Sequence, residues 1–200
     1  MLVAVLSSAV VSWGCGGGGS GAVRRSISQV MEGARLDSLG GVAVLPCAAR
    51  IDVHEDPDDI APGMATSRLH AAIQRRSDGS RIVAKSMIEE RDLAGELATF
   101  YRNWLPHPEE GDGEALQRIA LRLQADVLLV AGVLQWKQTD KFTRVGMVAG
   151  LFEGVTGRML WWSEQERQVE AAAEQFGPPD YLVVIDRVIE ALLEPLPLTE

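Results

Sequence analysis

The sequence predicts one α/β domain built on a mixed sheet, with antiparallel C-terminal strands and with helices packed on that sheet. Three observations lead to this prediction. Residues 124–164 form three apolar or glycine-punctuated segments separated by short polar breaks. Other segments repeat apolar residues with the period of amphipathic helices. The connections between the last three strands are too short for a crossover, so these strands are expected to be antiparallel.

Composition and charge limit the classes of function. With 200 residues, of which 46% are hydrophobic and 24% charged, the chain can bury a sizeable core. Its formal net charge of -9 argues against a nucleic-acid groove, because phosphate binding needs clustered Lys and Arg. The sequence shows no such cluster, and Arg75 with Arg76 is only a pair. We therefore expect no nucleic-acid partner.

Residues 1–14 are predicted to be a lipoprotein signal peptide. An uncharged apolar run at residues 1–11 is too short to span a bilayer, and Gly14 directly precedes Cys15, which resembles a bacterial lipoprotein signal. Three features depart from that pattern: no Lys or Arg precedes the run, Trp13 is bulky, and Ser12 replaces the commonest Leu. Cys15 is the predicted lipidation site, and a plain secretory signal or a disordered apolar end are the alternatives.

The glycine-rich residues 15–22 are expected to be a flexible tether. A phosphate cradle is the other interpretation of such glycines, but no strand precedes them in a βαβ unit. In residues 23–40, apolar side chains recur at helical spacing at Val23, Ile27, Val30 and Met31. This spacing predicts a short amphipathic helix followed by a linker.

The α/β domain is predicted over residues 41–194. It opens with a strand at 42–46, beside which Cys47 is expected to be a buried small hydrophobe without a disulfide partner. Residues 54–59 are acidic but lack the order of a calcium loop, so a solvated loop is expected. A helix at 64–76, a strand at 81–84 and a helix from a capping box at Ser86 and Glu89 to residue 105 follow.

The second half of the domain continues with a helix at 116–123 and strands at 127–133, 142–153 and 158–169. The residues at 154–157 supply a tight turn between the last two strands. Asp180 is expected to cap a helix over 181–193, and prolines then begin the tail at 195–200. Whether the layers number two or three stays open.

No catalytic residue, metal site or cofactor is predicted. His54, His70 and His107 lack the spacing of metal ligands, and no GxSxG motif is present. Carboxylates of the helix ending at 105, among them Glu96, have basic neighbours and are expected to lie on a solvated face. We therefore do not expect an enzyme.

Trp161 and Trp162 are the candidate partner-binding residues. Adjacent strand residues point to opposite faces, so one side chain can enter the core while the other is exposed. An exposed tryptophan suits a binding surface. The alternative is that helices cover both of them.

Several of these segments together resemble bacterial lipoproteins of the curli-secretion and penicillin-binding-protein-activator type. The matching parts are VAVLP at 42–46, residues 90–93, the ADhhhhxG pattern from Ala125 and Asp126 to Gly132, and the TGxhhW pattern from Thr156 to Trp161. Two positions depart from the family pattern: Gly154 replaces an acidic residue and Cys47 replaces an aromatic one.

The resemblance implies a fold similar to the TolB amino-terminal domain, a small module that binds partners. Some members form oligomeric rings, and others dock on a cell-wall synthase. A self-sufficient pore is not expected, because the chain has little length between its elements for membrane-inserting hairpins.

These observations favour a lipid-anchored accessory protein of the outer membrane whose domain faces the periplasm. It would bind an envelope protein of cell-wall synthesis or of polysaccharide or protein export, and could form a homo-oligomer. A glycan or small-ligand binding module with an exposed tryptophan is the second hypothesis. An envelope hydrolase is the third, and it requires carboxylates from distant segments to meet in a cleft.

Overall fold

One mixed sheet carries the fold. The computed structural model describes residues 22–32, 34, 41–50, 60–76, 82–83, 93–110, 113–171 and 180–196, with residues 60 and 82–83 described by their backbone alone. Within these residues the elements are, in chain order, β1 (Ala22–Val30), β2 (Val42–Val44), β3 (Ala48–Ala49), α1 (Ile60–Arg76), β4 (Ile82–Val83), α2 (Ala94–Trp104), α3 (Gly113–Leu123), β5 (Val127–Gln138), β6 (Phe142–Glu153), β7 (Met159–Glu170) and α4 (Tyr181–Leu193).

The strand order in the sheet is β1-β7-β6-β5-β2-β4, and β3 pairs with β5. The strands from β1 to β5 along this order are antiparallel neighbours. β2 pairs in parallel with both β5 and β4, and β3 pairs in parallel with β5. The predicted mixed sheet with antiparallel C-terminal strands is therefore confirmed.

Helices cover both faces of the sheet, so the layers number three. Alternate residues of β5 enter two separate apolar clusters, as the alternation of side chains along a strand requires. Leu129 belongs to the cluster under α1 and α4, and Leu128 to the cluster under α2 and α3. We call these two sides of the sheet the α1–α4 face and the α2–α3 face.

Local capping explains where α4 begins and ends. The Asp180 carboxylate accepts a hydrogen bond from the Leu182 backbone N–H at 2.8 Å, as predicted. Pro195 follows the last turn. Helix α1 instead begins at Ile60, four residues before the predicted start at residue 64. Pro62 is tolerated there because the first turn of a helix needs no backbone donor.

The prediction of a helix after the tether is wrong. Residues 22–30 form β1, which pairs antiparallel with β7 from Ala22 opposite Gln168 to Val30 opposite Trp161. The spacing of Val23, Ile27 and Val30 matched a helix, but pairing with a strand more than 130 residues away supplies the backbone hydrogen bonds. Cys15, the acidic loop at 54–59 and the capping box at 86–89 lie outside the described residues.

Candidate functional site

The two predicted partner-binding tryptophans are both buried. Trp161 is 0% exposed on the α1–α4 face, and Trp162 is 7% exposed on the α2–α3 face. The Trp161 indole N–H donates to the Ser28 hydroxyl of β1 at 3.0 Å. Of the two alternatives, coverage of both side chains is the one observed, because helices pack on both faces of β7 at this point. The partner-binding assignment therefore has no exposed tryptophan side chain to support it.

The other tryptophans of the described chain do not supply an exposed ring either. Trp104 and Trp136 are both buried. The Trp104 indole N–H donates to the Pro108 carbonyl at 3.0 Å, and the Trp136 ring lies 5.2 Å from that of Tyr181. Within the described residues, a stacking platform of exposed tryptophan, on which the glycan-binding hypothesis depended, is absent.

The two family-like motifs meet in space and are structural. The Asp126 carboxylate accepts the Gly41 N–H at 2.8 Å, and the Gly41 carbonyl accepts the N–H groups of Asp126 and Val127. The Gly154 N–H donates to the Asp126 carbonyl at 2.7 Å. The AD motif thus joins the start of β2 to the turn between β6 and β7.

Close packing explains the glycines of that turn. A Cβ on Gly154 would lie 2.4 Å from the Ala125 carbonyl oxygen, so the acidic residue of the family pattern has no room here. Gly157 has a φ of +67°, and a Cβ there would lie 2.0 Å from the Gly113 carbonyl oxygen. The Thr156 hydroxyl donates to the Glu153 carboxylate at 2.5 Å and accepts the Arg158 N–H. The TG motif therefore packs the turn between β6 and β7 against Gly113, the first residue of α3.

Cys47 is buried, as predicted, and its thiol is free. Its backbone N–H donates to the Thr66 hydroxyl at 2.8 Å, and that hydroxyl donates to the Pro62 carbonyl at 2.7 Å. Burial raises the pKa of the Cys47 thiol to about 12, against a smaller opposing effect of Thr66. The thiol is therefore held as the neutral form, which is a poor nucleophile.

The remaining candidates for chemistry are dispersed. His107 lies 3.9 Å from Glu109, both well exposed, while Glu96 forms an ion pair with Arg122 at 3.0 Å. His70 lies on α1. Among the described residues no group of three or more His, Cys, Asp or Glu side chains is placed to hold a metal ion. In the part of the chain that the structure describes, no helix is long and apolar enough to cross a membrane.

Strand β1 forms one edge of the sheet, and all nine of its residues are exposed. Its inner edge is tied to β7 by side chains as well as backbone. The Ser163 hydroxyl donates to the Ile27 carbonyl at 2.9 Å, and the Gln165 amide donates to the Ser26 hydroxyl at 2.8 Å. Within the described residues no strand pairs with its outer edge.

A row of polar side chains follows the α2–α3 face of β7 beyond the helices. Glu164 pairs with Arg25 at 3.0 Å, and Glu166 lies 3.6 Å from Arg144. Burial raises the pKa of the Glu164 carboxyl, while Arg25 lowers it and Glu166 raises it further. Both carboxylates have guanidinium partners, which is the arrangement of an ion-pair row more than of a free acid and base.

Four arginines line a cleft of about 410 Å³ on the α1–α4 side. They are Arg75 and Arg76 at the end of α1, Arg167 on β7 and Arg187 on α4, and the lining also includes Glu190 and Glu194. The sequence showed only the Arg75–Arg76 pair, because the other two arginines lie about a hundred residues further along the chain. We call this site the arginine cleft.

The described chain thus has the fold class of a three-layer α/β module, with an open edge strand and with its sequence motifs used for packing. The same fold occurs in the PelC dodecamer from Paraburkholderia phytofirmans, with a TM-score of 0.54, 16% identity, and 88% of this chain and 99% of that chain covered. The fold expected from the resemblance to envelope lipoproteins is confirmed in this respect.

Two other solved structures are similar at lower TM-scores. Lipoprotein GNA1162 from Neisseria meningitidis gives a TM-score of 0.45 at 15% identity, covering 78% of this chain and 99% of that one. The LpoB C-terminal domain from Escherichia coli gives 0.42 at 14% identity, covering 65% and 83%. No protein-family model matches the sequence, and no curated protein matches it significantly.

Proposed function

We propose that the chain is a lipid-anchored accessory protein of the bacterial envelope that acts by protein–protein binding and assembles with copies of itself. The domain faces the periplasm, held at the outer membrane through Cys15. The observation that carries this proposal is the edge strand β1, whose nine residues are exposed and whose outer edge is open in the described chain.

An open edge of this kind favours association. Edge strands expose unpaired N–H and C=O groups, and soluble proteins protect them with charges, bulges or coverage by other elements. In β1 the protection is confined to the first half, where Arg24 and Arg25 lie at an irregularity of register. From Ser26 to Val30 no charged residue occurs, and Ile27 and Val30 are exposed apolar side chains. We assign this half of β1 to an interface.

A second copy of the chain is the proposed occupant of that interface. The PelC chain, which has the same fold over nearly its whole length, is found as a dodecamer. An anchored oligomer must keep all its tethers on one side, which a head-to-tail ring achieves. Contact with a further envelope protein can then use the assembled ring.

The oligomer test compares the full chain carrying Cys15→Ser with Ile27→Lys in the same background, in mild detergent, by light scattering after size exclusion. We expect the parent to elute as a multiple of 21.7 kDa and Ile27→Lys to shift to the monomer. Leu121→Lys is the matched control, because Leu121 is an exposed apolar residue on α3. A monomeric parent, or loss of the oligomer in Leu121→Lys alone, would contradict the edge-strand interface.

The anchor is tested separately by metabolic labelling with palmitate. We expect labelling of the parent and of Cys47→Ser, and none of Cys15→Ser. Since the chain has 2 cysteines, this pair of variants covers both thiols. Equal labelling of Cys15→Ser and the parent would refute the lipidation site, and fractionation of the envelope reports the membrane in which the labelled protein resides.

A further inference from the structure

The arginine cleft concentrates positive charge on an acidic protein. The chain has a formal net charge of -9, whereas the cleft brings four arginines together with two glutamates, which leaves a local charge of +2. Guanidinium groups match the planar or tetrahedral oxygens of carboxylates and phosphates and bind them through paired hydrogen bonds. The volume of about 410 Å³ falls in the range of small-ligand sites.

The arginines of the cleft have different roles. The Arg76 guanidinium donates to the carbonyls of Leu193 at 2.5 Å and Glu190 at 3.2 Å, so it ties the end of α1 to the end of α4. Arg167 comes from the sheet, and its Nε is buried without a hydrogen-bond partner in the described structure. A buried guanidinium donor without a partner is costly, and a ligand or ion beside the group is a common reason for such a cost in a folded protein.

The strand register places this cleft next to Ala22, where β1 begins. Val23 of β1 lies opposite Arg167 of β7, and Ala22 lies opposite Gln168. Six residues lie between Cys15 and Ala22, so even a fully extended chain places these two residues at most about 25 Å apart. A lipid on Cys15 would therefore keep the arginine cleft close to the membrane surface.

We propose that the arginine cleft binds the phosphate of an anionic phospholipid headgroup in the membrane that anchors the chain. This inference rests on the proposed lipid anchor for the position of the membrane, and on the cleft itself for the chemistry. It gives the domain a fixed orientation, because the lipid holds one point of the chain and the headgroup holds a second.

The test is co-sedimentation of the full chain carrying Cys15→Ser with vesicles of phosphatidylcholine, with and without phosphatidylglycerol. We expect binding that depends on phosphatidylglycerol and falls about 30-fold in Arg75→Gln/Arg167→Gln, on the basis of about 1 kcal/mol for each basic residue at an anionic surface. Residues 1–14 are identical in both proteins, so their contribution appears equally with phosphatidylcholine alone.

The matched control is Arg102→Gln/Arg118→Gln, which removes the same charge from exposed positions on α2 and α3. We expect this control to bind like the parent. Equal losses in the two double variants would show a net-charge effect and overturn the cleft. If Arg167→Gln lowers the melting temperature, Arg75→Gln/Arg187→Gln replaces the first double variant, because it changes only helical residues. Its vesicle binding is then compared with that of the same control.

Inorganic phosphate distinguishes the source of the anion. We expect phosphate to raise the melting temperature of the parent and not of Arg75→Gln/Arg167→Gln, and to compete with the vesicles. Phosphate binding at the cleft without any preference for phosphatidylglycerol vesicles would overturn the membrane as the source. Because this protein carries no lipid, either failure is distinct from a failure of palmitate labelling at Cys15.

Discussion

Replacing Gly157 with alanine should destabilise the fold, because two costs coincide at this position. Its φ of +67° lies in the left-handed region, which costs about 1–2 kcal/mol for a residue with a Cβ. The added Cβ would also lie 2.0 Å from the Gly113 carbonyl oxygen, and such overpacking typically costs about 1–3 kcal/mol. The expected loss is therefore about 2–5 kcal/mol, against a typical total stability of about 5–15 kcal/mol.

Urea unfolding followed by circular dichroism measures this loss. With a denaturant slope of about 2 kcal/mol per molar urea, the midpoint should fall by about 1–2.5 M. Gly63→Ala is the matched control, because a Cβ at Gly63 meets nothing within 4 Å and α1 gains helix propensity. Its midpoint should be unchanged or higher.

A further variant, Gly157→Asn, separates the two costs. Asparagine tolerates the left-handed region better than alanine but adds the same Cβ. We expect Asn to recover about 1 kcal/mol of the loss, with the steric part remaining. A midpoint for Gly157→Ala equal to that of the parent would refute both the backbone conformation and the packing on Gly113.

Three more predictions concern buried polar groups. In the folded Cys15→Ser protein, Cys47 should resist iodoacetamide and react only in urea, because burial raises its pKa to about 12. Modification of the folded protein at the rate of a free thiol would contradict this. Thr66→Val should cost about 1–3 kcal/mol in urea unfolding by leaving the Cys47 N–H unpaired, and an unchanged midpoint would argue against that hydrogen bond. Because the folded pKa of Glu164 is raised, its contribution to stability is present at low pH and is lost as pH rises through that pKa. The stability of the parent relative to Glu164→Gln should thus fall as pH rises above the usual range of a glutamate carboxyl, and a difference that does not change with pH would contradict the raised pKa.

Elements fixed by local chemistry were predictable from the sequence. The β6–β7 hairpin follows from a turn of four residues between two apolar segments, and α4 follows from the Asp180 cap and its apolar stripe. The burial of Cys47 follows from its apolar neighbours. In each case the deciding interactions are either contacts between residues close in sequence or the burial of an apolar segment in the common core.

Strand β1 shows where local patterns fail. Its apolar residues Val23, Ile27 and Val30 are exposed in the described chain, so no core imposes the period of two that marks a strand. Backbone pairing with β7 holds this strand in place. Ser26 and Ser28 add to it by accepting hydrogen bonds from Gln165 and Trp161. These partners are more than 130 residues away in sequence, so no local sequence pattern indicates them.

Neither the exposure of the tryptophans nor the arginine cleft could be predicted from the sequence, and the reason is the same. Alternation along β7 correctly separated Trp161 from Trp162, but their exposure depends on helices far from them in sequence. The four arginines come from α1, β7 and α4, and only two of them are neighbours in the chain. A net charge of -9 argued against basic sites on average, whereas the fold concentrates positive charge locally.

The register of β1 also restricts how anchored copies can assemble. If β1 paired with β1 of a second copy about a two-fold axis, the two strands would run antiparallel. The nine residues of β1 span about 30 Å, so the tethers that enter at Ala22 would leave from opposite ends of the joined strands. With strands standing along the membrane normal, only one copy could keep its lipid in the membrane. A ring in which each β1 contacts a different surface of the next copy instead keeps every Ala22, and with it every arginine cleft, at the same height above the bilayer.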